Sequence, residues 1–478
     1  MNNIIQKLND LGYQTIDGAW YDRVADWDSW YKGDVEKFHN FKVYNGRQHV
    51  DCKRYTLGMA KKVCEDWANL LMNEKVQITL EGKHEQAFID GIFAASDFEV
   101  NMNELQERGA ARGTYAIIPR VHGAETDSDG KIIRGGGASI ALDYVTAERI
   151  FPLSWSGRKI VECAFAKTII GQRDKYLYLQ IHRLENGKYV IENHAYKMGL
   201  SGVGAGEEAP FEDVPGLENV PKTINTNSDK PWFVIGRYNI ANNIDDDNPM
   251  GIAVYANALD VLKAVDIAYD SYVNEFALGK KRVMVKPAAT KTLDGENVFD
   301  ENDVTFYVLP EDIGDGTIIQ PIDMTLRTGE HSQGLQEQLN QLSSKCGFGQ
   351  QHYKFDQGNI STATQIISEN SEMFRTIKKH ELVLESVLVE LCRILLRMGN
   401  TYMSAELNED VKISVDFDDS IVEDRATDEA RVYQMLSAGL MRADEARSIL
   451  MNEDIETARK ALPTMEELTV GEKQDEVE

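Results

Sequence analysis

Cysteine is scarce in this sequence, and its few copies are scattered. The chain has 478 residues and 5 cysteines, with no Cys-x-x-Cys pair among them. Disulfide frameworks and structural zinc sites both need cysteines at short, regular spacings. The pattern therefore argues against either of them and favours a reducing compartment.

Long apolar runs are missing too. The sequence has no stretch of roughly eighteen apolar residues, the length that a membrane-spanning helix needs, so no membrane partner is expected. The opening residues, MNNIIQKLNDLGYQ, lack a basic segment followed by an apolar one. We therefore expect no secretion signal.

Catalytic signatures are not found either. The 9 histidines include no His-x-x-x-His or His-Glu-x-x-His pair, which a catalytic zinc site uses. Ser154 in LSWSG lacks the Gly-x-Ser-x-Gly turn of serine hydrolases. The stretch GLSGVGAGEE lacks the Gly-Lys-Ser/Thr of a phosphate-binding loop. We expect no catalytic residue, no metal site, no cofactor and no enzymatic activity.

Two clusters of carboxylates leave one alternative open. They lie at Asp245–Asp247 in IDDDNP and at Asp416–Asp419 in DFDDSIVED. Neither has the alternate spacing and late glutamate of an EF-hand calcium loop. A helix start and a solvated strand end explain them, and a divalent ion remains the alternative.

Acidic residues greatly outnumber basic ones. The sequence has 78 Asp and Glu against 51 Lys and Arg, a formal net charge of -27. General binding to a duplex uses clustered Lys and Arg that displace counterions from the phosphates. The charge therefore argues against a nucleic-acid binder. It serves solubility, or suits a protein that meets DNA without holding it.

The first half predicts helices followed by strands. RYTLGMAKKVCEDWANLLMNEKVQITL places apolar residues at helical spacing and then alternates through Val76, Ile78 and Leu80. In later segments, apolar and polar residues alternate as in strands, and turn-forming residues separate the segments. Hairpin turns are expected at Asp129-Gly130 and Asn186-Gly187. This mixture indicates an α+β fold.

The middle of the chain predicts a small β module between two helices. Asn248 before Pro249 is a good helix start, and an apolar stripe runs from there to Gly279, indicating a helix of about 28 residues. KRVMVKP, DVTFYVLPE and GTIIQPIDM are short β-type segments. HSQGLQEQLNQLSSKCG predicts the second helix.

A polar loop and a very long helix follow. FGQQHYKFDQGNI contains Gly347, Gly349 and Gly358 and predicts a loop. Thr362 with Gln365 is a capping-box pattern, and the apolar stripe after it predicts a helix of about 37 residues, or about 55 Å. The chain then predicts a strand in DVKISVDFDDSIVED, two short helices around a glycine, and an acidic tail.

The order of these parts resembles that of portal proteins, the head–tail connectors of tailed bacteriophages, of the type common in phages of Gram-positive hosts. The most specific pieces are STATQIISENSEMFRTIKKHE and GMAKKVCEDWANLLMNEKVQI, with WDSWYKG and ERGAARGTYAIIPRV in support. None is a catalytic motif, so the resemblance depends on their order over nearly the whole chain.

The resemblance implies a portal fold. Its parts are an N-terminal wing, a two-helix stem that carries a β-rich clip, a tunnel loop, a long wing helix with a strand, and a helical crown with an acidic tail. The expected ranges are 1–247 for the wing, 248–279 and 331–346 for the two stem helices, and 280–330 for the clip between them. After the second stem helix come 347–361 for the tunnel loop, 362–422 for the long wing helix and strand, and 423–478 for the crown and tail.

The resemblance also implies a function and partners. The chain would form a dodecameric ring at the portal vertex of the virion, assembled in the host bacterial cytoplasm. It would act as a channel for genome packaging and ejection and as a nucleator of capsid assembly. The implied partners are double-stranded DNA bound without sequence preference, the terminase large subunit, the head–tail adaptor, and the major capsid and scaffold proteins. The alternative is another ring-forming virion component, an adaptor or minor head protein.

Three groups of residues are candidates for these roles. Phe348 and Tyr353, in the loop expected to face DNA, should add weak contacts to it. Lys354 in the same loop is expected to face DNA as well, and the alternative is that it forms an ion pair with a neighbouring acid. The remaining candidates are Gln350, Gln351, His352, Lys354, Gln357 and Asn359 for the DNA-facing loop; Asp260, Asp266 and Asp270 for the channel wall; and Lys280, Lys281, Arg282 and Lys286 for docking at the clip.

Overall fold

The computed structural model divides the chain into two units, Met1–Asp416 and Phe417–Glu478. Helices and strands are both abundant in the first unit, which confirms the α+β prediction. The names wing, stem, clip and crown remain predictions. The structure describes residues 2–72, 76–123, 125–126, 132–133, 138–198, 205–279, 282–285, 306–308, 319–322, 325–354, 363–417, 432–451 and 455–462.

Helices dominate the first hundred residues, and a hairpin projects from them. Trp20, Trp27 and Trp67 lie in the core formed where α2, α4 and α6 pack together. The helix followed by a strand that the sequence predicted is confirmed as α4 and β3. The elements are α1 Asn2–Asp10, α2 Gly18–Tyr31, α3 Glu36–His39, β1 Asn40–Tyr44, β2 His49–Lys53, α4 Met59–Leu71, β3 Gln77–Leu80, α5 Lys83–Ala95 and α6 Phe98–Arg112.

Antiparallel strands fill the next part of the first unit. The three-stranded sheet has the order β14-β4-β7, and the larger sheet has the order β12-β11-β10-β9-β8 with β13 also on β11. The strands are β4 Thr114–His122, β5 Glu125–Thr126, β6 Ile132–Ile133, β7 Ser139–Thr146, β8 Ile150–Ser156, β9 Lys159–Ile170, β10 Lys175–Glu185, β11 Lys188–Met198, β12 Ala205–Glu208, β13 Thr223–Asn225 and β14 Val234–Arg237.

One of the two predicted hairpin turns, at Asn186-Gly187, lies within the described residues. Asn186 and Gly187 join β10 to β11, and their φ angles of 50° and 79° are those of a type I′ turn. The prediction at this position is confirmed. Asp129 and Gly130 lie outside the described residues.

The β module lies between two helices, as predicted. The helices α7, Leu259–Leu278, and α8, Thr328–Lys345, pack against each other. Between them, β15 pairs in parallel with β16 and antiparallel with β17. These strands are β15 Arg282–Val285, β16 Phe306–Val308 and β17 Ile319–Ile322.

The predicted start of the first of these helices is wrong. It begins at Leu259 rather than at Asn248, so its 20 residues span about 30 Å instead of 42 Å. The side chain of Asn248 accepts a hydrogen bond from the Met250 N–H and forms a local turn. The residues between Asn248 and Leu259 are held by β4 and α6 instead. The Gly251 N–H donates to the Thr114 hydroxyl, and the Val254 N–H donates to the Ala110 carbonyl.

The long helix is confirmed. It is α9, Ala363–Met398, whose 36 residues span about 54 Å, and a π-helical turn follows at Gly399–Met403. Its apolar stripe is buried from Ile377 onward within the chain itself. The predicted strand near the end of the first unit is β18, Ile413–Asp416, which pairs antiparallel with β3.

The second unit has short helices. Residues 432–437 are helical, Gly439 turns the chain with a φ of 70°, and helices follow at Ala443–Met451 and Ile455–Ala461. This agrees with the predicted pair of helices around a glycine. The predicted acidic tail lies outside the described residues.

A close approach of two glycines predicts the effect of a single methyl group. Gly113 ends α6 with a φ of 84°, and a Cβ there would lie 2.3 Å from the Gly251 carbonyl oxygen. We expect Gly113→Ala to lower the free energy of unfolding by about 3 kcal/mol, from backbone strain and overlap together. In contrast, Gly91→Ala on α5 has open space and should raise it by about 1 kcal/mol. Denaturant unfolding of both variants measures the difference, and equal stabilities would contradict the prediction.

Candidate functional site

The loop after α8 is anchored where it leaves the helix. Gly347 has a φ of 87°, and a Cβ there would lie 2.8 Å from the Thr376 methyl group, so the turn requires glycine. Phe348 is buried between two rings: it stacks on Trp67 with centroids 4.6 Å apart and on His352 with centroids 4.5 Å apart. The Trp67 Nε1–H also donates to the Cys346 carbonyl at 3.1 Å.

A buried tyrosine fixes the other end of this turn. The Tyr353 hydroxyl donates to Asp66 Oδ2 at 3.0 Å, and burial together with that carboxylate raises the pKa of Tyr353 far above its ordinary value. Burial opposes ionisation of Asp66, but hydrogen bonds from His352, Lys62 and Tyr353 outweigh it and hold the pKa of Asp66 below its ordinary value. The turn is therefore tied to α4 by stacked rings and by an ionised acceptor.

These contacts show that two of the loop residues expected to contact DNA are not available to do so. Phe348 and Tyr353 are buried, so they cannot offer a surface to a ligand. Gln350, His352 and Lys354 are exposed, and Gln351 is half-buried. Gln357 and Asn359 lie outside the described residues.

The three acids of α7 have different surroundings. Asp260 is fully exposed beside Lys263, whose Nζ lies 2.9 Å from its Oδ1. Asp270 is half-buried and accepts hydrogen bonds from the Tyr55 N–H and the Asn274 amide. Asp260 and Asp270 retain exposure that a channel wall needs.

Asp266 does not belong with them, and its prediction as a channel-wall residue is wrong. It is 4% exposed, and its Oδ1 accepts from the Leu57 N–H at 2.8 Å and the Thr56 hydroxyl at 3.3 Å. Its Oδ2 lies 3.1 Å from His39 Nε2. The signal was available in the sequence, because Asp266 is four residues after buried Leu262 and so lies on the same helix face.

The histidine in this contact has a defined tautomer. His39 Nδ1 accepts from the Val35 N–H at 2.8 Å, so its Nε2 carries the hydrogen that is donated to Asp266. His39 is the last residue of α3, immediately before the hairpin. The pair therefore joins α7 to the base of the hairpin, a link that the sequence did not reveal.

An ion pair closes the base of the β module. Arg327 donates to Glu275 from its backbone N–H at 3.0 Å and from Nη2 at 2.9 Å. These hydrogen bonds lower the pKa of Glu275 to about 2. The predicted docking cluster can be placed only in part: Arg282 lies in β15, and Lys280, Lys281 and Lys286 lie outside the described residues.

Metal-binding clusters and membrane-spanning helices are both absent from the described residues. They contain no group of three or more His, Cys, Asp or Glu that could hold a metal ion. Among the same residues, no helix is both long and apolar enough to span a membrane.

The chain matches a known protein family along nearly its whole length. The family model described as phage portal protein, SPP1 Gp6-like, matches residues 13–467. A search of curated proteins found no match. The matched range extends from the turn after α1 to beyond the last described helix. The resemblance stated from the sequence motifs is confirmed at the level of the family.

The two inner acids of α7 allow a matched test of burial. Asp266→Ala would leave the His39 and Leu57 N–H groups buried without an acceptor, and we expect a loss of about 3 kcal/mol in the free energy of unfolding. Asp270→Ala, four residues further on, should lose about 1 kcal/mol because its site is half-open to water. Denaturant titration of both variants gives the comparison. A larger loss for Asp270→Ala would contradict the assignment.

Proposed function

This chain belongs to the phage portal protein family described as SPP1 Gp6-like, and we propose from that membership that it forms a dodecameric ring at one vertex of a tailed-phage capsid. The genome passes through the ring during packaging and again during ejection. The observation that carries this proposal is the family match over residues 13–467. The β module on two packed helices, α7 and α8, is consistent with the stem and clip of such a ring.

Exposed apolar side chains on α7 support assembly. Ile267, Phe276 and Leu278 are large apolar residues that this chain leaves exposed. Neighbouring copies would cover them in a ring. Within α9, the apolar stripe from Ile377 onward packs inside the chain itself, whereas Leu382 is 67% exposed.

The net charge suits a channel that DNA crosses without adhering. Each chain carries -27 formal charges, and twelve chains multiply that field. Acidic walls repel phosphates over a Debye length of about 8 Å at physiological salt. Twelve helices at about 10 Å spacing would close around a hole of roughly 28 Å, which admits one duplex. The channel would then let DNA slide, with Asp260 and Asp270 as candidates for its wall.

The partners follow from this position in the virion. The β module would dock the terminase large subunit during packaging and the head–tail adaptor afterwards, with the basic cluster from Lys280 to Lys286 as the candidate contact. The ring would also nucleate assembly of the major capsid and scaffold proteins in the host cytoplasm. Hydrolysis of ATP would belong to the terminase, so the chain itself would be without enzymatic activity.

Assembly is tested on the purified protein. We expect native mass measurement at micromolar concentration to show a closed ring of about 650 kDa, from twelve chains of 53.8 kDa each. Electron micrographs of the same sample should show rings with a central hole, and an ATPase assay should show no turnover. A monodisperse monomer would contradict the proposal, and intrinsic ATP hydrolysis would contradict the non-enzymatic role.

The loop after α8 is tested through its exposed cation. Lys354 is exposed at the end of the anchored turn. Lys354→Glu would change two charges per chain beside the duplex, and we expect capsids that assemble normally but package less DNA or lose it, since added negative charge repels phosphates. Lys354→Ala should have a smaller effect in the same direction. Packaged DNA per capsid is the measurement. Wild-type packaging in both variants would remove Lys354 from the set of DNA contacts.

A further inference from the structure

The β1–β2 hairpin is fixed at its base, but the strands and turn beyond the base are not covered by the rest of the chain. Every residue from Lys42 to Asp51 is exposed. At the base, the Arg54 N–H donates to the His39 carbonyl at 2.7 Å, and the Arg54 guanidinium lies over Phe38 and Phe41. A two-stranded hairpin alone in water is marginally stable. One that is held at its base but bare along its length is suited to packing against another surface.

One face of this hairpin is apolar. In the β1–β2 register, Phe41 lies opposite Cys52 and Val43 lies opposite Val50, and residues directly opposite each other share a face. On this face, Val43 is 46% exposed and Val50 is 38% exposed. An apolar hairpin face that lacks a core is the kind of surface that a partner covers.

The hairpin is also basic, in an acidic chain. Residues 40–54 contain four Lys and Arg side chains and one Asp, a formal charge of +3, so the rest of the chain carries -30. Lys42 pairs with Asp51 across the hairpin, while Arg47 lies at the tip and Lys53 near the base. A surface complementary to this hairpin should combine an apolar floor with acidic edges.

A groove on another part of the same unit has that composition. It lies between β3, α5 and α6 and has a volume of about 800 Å³. Its floor includes Ile78 and the stacked rings of Phe93 and Phe98, whose centroids lie 3.9 Å apart. The exposed carboxylates at its edges are Asp90, Asp97 and Glu99, and the exposed Val100 also lines it.

We propose that the hairpin of one copy docks into this groove of the next copy, with the apolar face of residues 41–52 on the groove floor and its cations near the acidic edges. The proposal rests on the ring put forward above as the proposed function. A ring requires a heterologous interface, in which two different surfaces of one chain meet. The hairpin and the groove are two such surfaces, of opposite charge and each partly apolar.

The native cysteines make a direct test possible. Cys52 lies on the apolar hairpin face and is partly exposed, whereas the other four cysteines are buried. We would therefore introduce Val100→Cys or Ala94→Cys in the groove and oxidise assembled rings. Disulfides form only where Cα atoms approach within about 7 Å. We expect a ladder of covalent oligomers on a non-reducing gel from at least one of the two variants.

Matched controls distinguish proximity from random oxidation. Val100 is 72% exposed and Ile170 on β9 is 74% exposed, so Ile170→Cys is an equally accessible thiol away from the groove. It should give no ladder, and neither should Val100→Cys combined with Cys52→Ser. If rings form but neither groove variant exceeds the Ile170→Cys control, the docking proposal fails while the ring stands. If wild-type protein forms no ring, the proposed function itself fails.

Charge reversal tests the polar part of the contact and separates it from DNA binding. Arg47→Glu with Lys53→Glu, or Asp90→Lys with Glu99→Lys, should each weaken assembly about tenfold at low salt, which is the scale of two exposed ion pairs. All four changes together should restore much of the loss. Normal rings in both double variants, combined with loss of duplex retention in the hairpin variant, would assign the hairpin to DNA and overturn the proposal.

Discussion

The carboxylate of Asp266 is buried, and much of the surrounding arrangement depends on it. Moving an ionised group out of water is unfavourable unless hydrogen bonds replace the water. Asp266 obtains three of them, from His39, Thr56 and Leu57. These donors come from the end of α3 and from the segment that leads into α4. One side chain therefore sets the rotation of α7 about its axis and the position of the hairpin base. The next residue, Ile267, lies about 100° further around the helix and is 46% exposed.

A second centre, Trp67 on α4, limits what the loop after α8 can do. Its ring stacks on Phe348, its Nε1–H donates to Cys346, and its edge meets His380 of α9 at a centroid distance of 4.8 Å. Burial lowers the pKa of His380 to about 3, so this ring stays neutral and accepts a hydrogen bond from the Asn239 N–H. Both helices that flank the loop are thus held by one indole. This anchoring keeps Phe348 and Tyr353 buried, whereas Gln350, His352 and Lys354 remain exposed.

Local patterns predicted what local physics decides. The α4–β3 transition, the length of α9 and the turn at Asn186-Gly187 follow from hydrophobic period and turn chemistry. The start of α7 did not follow, because the segment after Pro249 is used to pack against α6 and β4, and that contact spans well over a hundred residues of sequence. The roles of Phe348 and Asp266 were missed for the same reason. The glycines and polar residues around Phe348, and the charge of Asp266, suggested exposure. However, Phe348 packs on Trp67 and Asp266 contacts His39, and both of these partners are far away in the sequence.

The uneven distribution of charge is the remaining constraint on assembly. Identical chains of charge -27 repel one another, and salt screens that repulsion only beyond about a Debye length. Side-by-side contact therefore needs local complementarity that a uniformly acidic surface cannot supply. The chain concentrates positive charge in a short hairpin whose base is fixed through His39 by Asp266. In the proposed ring, an acidic wall would act on phosphates in the channel, while a basic and apolar element would offset the same charge where copies meet.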